Sequence, residues 1–234
     1  MTEARDYLII SMAATLAAMG DVAGSERRGS CSWPGRSAIL GVVGAALGLR
    51  RDDLERQATL RDLSTCVAVF QEDGLPLRDF HTVQTVPTAA AKRPSSRASA
   101  LRAAGDRVNP VITRRDYRMG VHFGVALWDH AGRPLEEIAE ALRRPVFTLF
   151  FGRKSCPFAA PLAPRIVRAR TPIEALSETP PPPWRDERRP VCMYATDRFD
   201  DRVADIEIRQ DEPLDRSRWH FGAREILILS RETE

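Results

Sequence analysis

A chain of 234 residues is long enough for one large domain or two small ones with a sizeable core. Its 43% hydrophobic and 29% charged residues are those of a soluble globular protein, and a net charge of +3 is too small for bulk charge to identify a nucleic-acid binder. Cys31, Cys66, Cys156 and Cys192 form no Cys-x-x-Cys pair, and His81, His122, His130 and His220 have no metal-ligand spacing. The pattern therefore excludes a disulfide framework and a zinc site, predicts no cofactor, and fits a reducing cytoplasm. Lys92 and Lys154 are the only lysines, so nearly all the positive charge is guanidinium. Arginine forks match phosphate and stack on bases, although a GC-rich coding sequence favours arginine as well.

Residues 7–12, Tyr-Leu-Ile-Ile-Ser-Met, read as a first strand, and Glu3 and Asp6 ahead of them lack the basic start of a secretory signal. A connection containing Gly and Ser over 13–35 leads to the stretch around which the rest is organised: Trp33-Pro-Gly-Arg-Ser-Ala-Ile-Leu-Gly-Val-Val-Gly-Ala-Ala-Leu-Gly-Leu-Arg-Arg-Asp-Asp53. Ser37 is placed to cap a helix and Gly48 to close it in the left-handed conformation. Residues 39–49 are apolar all round, so this helix must be buried against something broad, yet it is too short to span a bilayer. Its N-terminal N–H groups, with Arg36 beside them and Arg27 and Arg28 upstream, suit a phosphate. A buried helix with solvated arginines fits the same spacing. Asp52 and Glu55 then have capping-box spacing for a short helix over 53–63.

Residues 65–70 alternate as a strand, with Cys66, Ala68 and Phe70 on one face. From 78 to 110 the character changes. Residues 87–102 are small, polar and basic with little to bury, a disordered loop or an arm that orders on a partner. Residues 116–128 are the clearest strand, with Tyr117, Met119, Val121, Phe123, Val125 and Leu127 on one face. Pro134 opens an amphipathic helix carrying Leu135, Ile138, Ala139 and Leu142, which Pro145 stops, and 146–151 read as another strand. The order is β-α-β-β-α-β, an α+β ferredoxin-like arrangement with a basic insertion between its second and third strands. Beyond 160, strand-like pieces at 165–170, 191–196, 204–209 and 225–230, interrupted by a stiff proline loop at 180–183, read as a smaller C-terminal β extension.

Three stretches carry candidate chemistry. Gly152-Arg-Lys-Ser-Cys-Pro157 sets Arg153, Lys154 and Ser155 on a glycine-hinged turn suited to phosphate, although it lacks nucleotide-loop spacing and a charged surface turn reads the same way. Arg78-Asp-Phe-His-Thr-Val83 places Arg78 and His81 at the mouth of the insertion, where the histidine suits acid–base work, base stacking or a plain loop contact. Arg114, Arg115 and Tyr117 stand where the chain re-enters the sheet, a pairing that fits single-stranded RNA or a strand end with solvated arginines. Residues 119–126 lack the aromatic spacing of the RNA-recognition motif.

Three blocks in order, residues 33–53, Leu77-Arg-Asp-Phe-His-Thr-Val83 and Phe151-Gly-Arg-Lys-Ser-Cys-Pro157, resemble the CasD family of type I-E CRISPR Cascade subunits. The segment Asp211-Glu-Pro213 … Trp219-His-Phe-Gly-Ala-Arg-Glu225 is similar in style to that family's last segment. The resemblance implies a ferredoxin-like core over 1–160, a protruding β-hairpin thumb at about 82–113 bearing Lys92, Arg93, Arg97 and Arg102, and a β-rich extension over 161–234. It implies a non-catalytic subunit that holds the 5′ handle of the CRISPR RNA, docks the large and backbone subunits, and meets target DNA only indirectly. Handle or phosphate contact falls to Arg36, Ser37, Arg153, Lys154 and Ser155, and the thumb closes near Arg114. The chain departs from the family after its first strand, where Ala13, Ala14 and Met19 precede Gly20 in place of a Gly-Pro, Gln and Trp pattern. The alternative from another class is a metal-independent endoribonuclease that processes precursor CRISPR RNA.

Overall fold

The computed structural model describes residues 3–24, 26–70, 74–90, 93–128, 134–197 and 203–230. Its strands are β1 (Arg5–Ala17), β2 (Gly20–Ala23), β3 (Arg27–Ser30), β4 (Ser64–Phe70), β5 (Leu75–Thr85), β6 (Asn109–Trp128), β7 (Arg165–Ala169), β8 (Val191–Thr196), β9 (Val203–Asp215) and β10 (His220–Ser230). Its helices are α1 (Arg36–Ala46), α2 (Leu54–Ala58), α3 (Arg97–Ala104), α4 (Leu135–Arg143) and α5 (Pro172–Leu176). The fold is α+β, dominated by one large and mostly antiparallel sheet.

Alternation on β6 builds the core. Tyr117, Val121, Phe123, Val125 and Leu127 enter one apolar cluster with Leu8, Ile10 and Met12 of β1. Ala126 and Trp128 enter a second cluster on the opposite face with Tyr7, Ile9, Cys66, Ala68 and Phe70. The all-round apolar α1 lies on the first face through Ile39, Leu40 and Val43, and α4 joins it through Ile138, Ala139 and Leu142. Each large side chain so buried contributes about 1.5–3 kcal/mol. The short α5 covers the second face through Ala175 and Leu176. Four strands run β7-β1-β6-β4, antiparallel at every step. This order and these directions suit a β-α-β-β-α-β chain whose two crossovers lie on one face.

Several sequence expectations are corrected. Residues 13–35 are more than a connection, because β1 runs on to Ala17 and β2 and β3 follow. Residues 146–151 form no strand. The N–H groups of Val146 and Phe147 instead donate to the carbonyls of Ala46 and Ala45 at 3.0 and 3.1 Å, which satisfies the open end of α1. The fourth strand position passes to β7. Ser37 is no cap, since Gly35 precedes α1 and Ser37 is its second residue, while Gly48 does close the helix at φ +71°. Asp53, not Asp52, caps α2 by accepting from the Arg56 N–H, and that helix gives way at Thr59 to a 3-10 turn. The chain after 160 supplies β7 to β10, and these join the same sheet, with β8 on β4, β10 on β8 and β9 on β10. The proline stretch lies against the sheet, with Ser11 Oγ donating to the Pro180 carbonyl at 3.1 Å and Pro182 buried.

Gly152 ties the turn after Phe151 to the end of β1. It sits at φ +86°, and a Cβ there would stand 1.7 Å from the Ala18 carbonyl oxygen. Backbone cannot yield as a side chain can, so Gly152→Ala is expected to lower stability by roughly 2–4 kcal/mol. An unchanged urea midpoint would show that the turn is not pinned in this way.

Candidate nucleic-acid interface

β6 is buried at its C-terminal half and leaves the core near Tyr117. Beyond that point β5 pairs along one edge in continuous register, Leu75 opposite Met119 through Thr85 opposite Asn109. On the other edge β3 runs parallel, Arg27 beside Arg114 and Arg28 beside Arg115, and the Arg114 N–H donates to the Glu26 carbonyl at 2.6 Å. The hairpin therefore begins at Leu75 and closes at Met119, wider than the 82–113 read from sequence. Its tip carries α3, capped by Ser96 and anchored by buried Ala100 and Ala104. Arg97 and Arg102 stand on this helix, with Arg97 donating to the Gln84 carbonyl. Arg93 precedes it and is exposed, and Lys92 lies outside the described residues.

Cross-strand partners share a face, so this three-strand platform sorts the candidates in two. Arg28, Arg115 and Tyr117 share one face with Asp79 and His81 of β5. Arg153 joins them from its turn, its guanidinium carbon 4.6 Å from the Tyr117 ring centroid. Arg153 Nη1 is buried without a hydrogen-bond partner among the described residues. A buried donor in that state has room in its bonding for an incoming acceptor. Lys154 and Ser155 are exposed on the same turn, which the buried Cys156 holds by accepting from the Phe151 N–H at 2.7 Å and donating its own N–H to the Arg153 carbonyl at 2.8 Å.

The opposite face carries Arg27, Arg78, Arg114 and Asp116. Arg78 donates to Asp116 from Nε at 2.7 Å and Nη2 at 3.1 Å, and Arg27 from Nε at 3.2 Å and Nη2 at 3.0 Å. Chiefly through the Arg78 hydrogen bond, with Arg27 adding to it and burial opposing it, the Asp116 carboxyl is pulled down to about 2. Phe80 and Ile112 stand on this face 62% and 52% exposed. Sequence reasoning missed Phe80 as a candidate, although its place two residues after Arg78 on a strand puts both on one face.

Arg36 and Ser37 do not join the platform. Asp211 of β9 accepts from the Arg36 backbone N–H at 2.8 Å and occupies the α1 N-terminus where a phosphate was expected. The Arg36 side chain is 6% exposed, its Nη1 2.8 Å from Asp197 and its Nε 2.7 Å from Glu212, and it also donates to the carbonyls of Leu63 and Arg61. Ser37 is half-buried, its carbonyl taken by Arg216 Nη2 at 2.7 Å. Both residues serve the fold. Among the described residues no group of His, Cys, Asp or Glu is placed to hold a metal ion, and no helix is long and apolar enough to cross a membrane.

The model of the family described as CRISPR-associated protein (Cas_Cas5) matches residues 7–226. The CRISPR system Cascade subunit CasD of Escherichia coli (strain K12) is 32% identical over 183 residues, covering 74% of this chain and 76% of that protein. A chain of a solved CRISPR RNA-guided surveillance complex shares the fold at a TM-score of 0.70 and 24% identity, covering 96% of this chain and 89% of its own. A solved Cas protein does so at 0.55 and 20% identity, covering 97% and 96%. The family match and the E. coli relative thus define a CRISPR-associated protein, and the solved structures share its fold. The chain belongs to the Cas5 family.

Two outcomes follow for these charges. Arg36→Ala should destabilise the protein by roughly 3 kcal/mol, because Asp197 and Glu212 lose their counter-charge together, and chemical denaturation reads this directly. Loss of RNA affinity at unchanged stability would put Arg36 back at the interface. Asp116 has a folded value of about 2 against an ordinary 3.8, so its contribution is complete above about pH 4 and disappears as pH falls toward 2. The stability gap between the protein and Asp116→Asn should be flat from pH 7 to 4 and close below that. A gap that is already closing between pH 7 and 5 would contradict the geometry.

Proposed function

We propose that this chain is the Cascade subunit that holds the 5′ handle of the CRISPR RNA, and that it holds this RNA without cutting it. The observation that carries the reading is Arg153, stacked on Tyr117 beside Arg115 and Arg28 with a buried donor left over. Guanidinium groups around an aromatic ring suit a single-stranded backbone and its bases. Arg27, Arg78 and Arg114 line the other face, and Lys154, Ser155 and His81 border the first. The name of the E. coli relative supports a place in Cascade, where this subunit docks the large and backbone subunits, works in the cytoplasm, and meets target DNA only through the assembly.

The geometry favours holding. Metal-free cleavage needs a base and an acid facing one phosphodiester. His81 lies opposite Thr113, four strand positions from Tyr117, a separation of about 13 Å. Incubation with the chain's own repeat RNA, without divalent metal and beside a His81→Ala control, should leave the RNA intact. A specific cut lost in the mutant would establish the ribonuclease instead.

Arg115→Ala and Arg153→Ala should each weaken binding of repeat-derived RNA by roughly 1.5–3 kcal/mol, about 10- to 150-fold, with the fold retained. Affinity should also fall with added salt. Wild-type affinity in both variants at moderate salt would sink the reading.

A further inference from the structure

The segment around Trp219 plays no part in the platform. It lies at the turn between β9 and β10, four strand spacings from β6, roughly 19 Å across the sheet. Trp219 is 63% exposed and held at φ +56°, a left-handed conformation that a bulky residue adopts only under constraint from its surroundings. The constraint comes from Asp215, whose Oδ1 accepts from the Ser217 N–H at 2.9 Å, the Ser217 hydroxyl at 2.6 Å and the Arg218 N–H at 3.2 Å. This carboxylate is committed to shaping the turn.

One cation stacks on the ring, and two more arginines belong to the same turn. The Arg51 guanidinium carbon stands 4.5 Å from the Trp219 centroid. Arg216 is packed along α1, donating to the Ser37 carbonyl at 2.7 Å, and Arg218, its side chain 85% exposed, stands with Nε 3.7 Å from Asp215 Oδ2. The Arg216 guanidinium is pushed below its ordinary value, first by burial and then by repulsion from Arg51, with Glu212 opposing. Glu212 is itself engaged by Arg36 at 2.7 Å. Two like charges brought near each other on neighbouring turns, with Glu212 and Asp215 already engaged, favour an anion between them.

We propose that the β9–β10 turn is a second nucleic-acid contact, where an unpaired base stacks on the exposed part of Trp219 and Arg51, Arg216 and Arg218 take the flanking phosphates. The ligand class is single-stranded nucleic acid. A tryptophan fixed in position and accessible offers a base a stacking surface at little ordering cost. Arginine supplies both the phosphate fork and the stacked cation.

The experiment uses the full chain and a labelled eight-nucleotide single-stranded RNA of mixed sequence, read by fluorescence anisotropy and by stoichiometry. The wild-type chain should take two molecules of this RNA. Arg115→Glu with Arg153→Ala should remove one and leave the other. In that background, Trp219→Ala and Arg218→Glu should each weaken the remaining event at least tenfold, while Trp219→Phe restores most of it. Arg218 is ion-paired with Asp215 at 3.7 Å, so Arg218→Gln is run beside Arg218→Glu and the urea midpoint of each is read with its affinity. Binding that Arg218→Glu and Trp219→Ala leave unchanged, in the wild-type chain as in the platform variant, would overturn the proposal, whether the wild type takes one RNA or two. Failure of the platform variants alone would count against the handle reading and leave this site standing. Displacement of nothing by RNA but saturable binding of a polyglutamate peptide would make the turn a protein contact and also overturn it.

Discussion

The structure depends on β6, which is paired along one edge or both for its whole length. A 20-residue strand presents a donor and an acceptor at almost every position, and any left unpaired away from water would be costly. Inside the core β1 and β4 take the two edges; beyond Tyr117 β5 takes one over to its end, and β3 pairs the other at Arg114 and Arg115. One continuous strand therefore serves as core spine and as thumb arm. The thumb needs no core of its own, because its backbone ladder extends one that is already buried. This explains how a hairpin with Phe80, Ile112 and Leu75 exposed keeps its register.

A second dependence runs from the C-terminal strands back to the start of α1. Asp197 follows β8, Asp211 and Glu212 lie on β9, and Arg224 on β10 holds Asp211 at 2.7 Å. Together they fix Arg36 by backbone and side chain, and Asp197 also accepts from the Thr65 N–H at 3.0 Å. Charges this enclosed are stable only as a set, since removing one leaves another without compensation. The last third of the chain is thereby joined to the first by ion pairs as well as by the sheet ladder. Gly35 shows how close the fit is, for a Cβ there would stand 2.4 Å from Asp211 Oδ2.

Where the deciding forces are local, the sequence was readable. The faces of β4 and β6, the close of α1 at Gly48 and the stripe of α4 follow from period and backbone preference, which neighbours in the chain decide. The platform was readable by residue type alone: Arg114, Arg115 and Arg153 were placed at strand ends and Arg78 at the mouth of the insertion, while Arg27 and Arg28 were assigned to the approach to α1. What brings them together is the parallel pairing of β3 on β6, a contact between residues about 87 positions apart in the chain that no spacing reveals. Arg36 was misread for the same reason. Its chemistry suits phosphate, and only the fold brings up Asp197 and Asp211 from 161 and 175 residues downstream. Residues 146–151 failed differently. An apolar run reads as a strand, but its first two N–H groups meet a helix end before they meet a sheet.

Asp116 stands in the middle of a surface that favours anions, and its effect is on direction more than on stability. Exposed ion pairs stabilise a fold by about 0–1 kcal/mol. With Arg78 and Arg27 45% and 62% exposed, the cluster belongs to that class. What Asp116 does is hold two guanidinium groups at a set spacing beside Phe80 and offset part of their charge. On the other face Asp79 stands across the ladder from Arg115, and Arg153 keeps an unused donor. The two faces of one platform thus differ in kind. On the proposed reading, guanidinium around Tyr117 would attract phosphate from a distance and respond steeply to salt. Restrained guanidinium around an exposed phenylalanine offers shape and stacking and responds less. Strand alternation alone produces this division, because neighbours in sequence such as Arg114 and Arg115, or Arg27 and Arg28, must point to opposite sides.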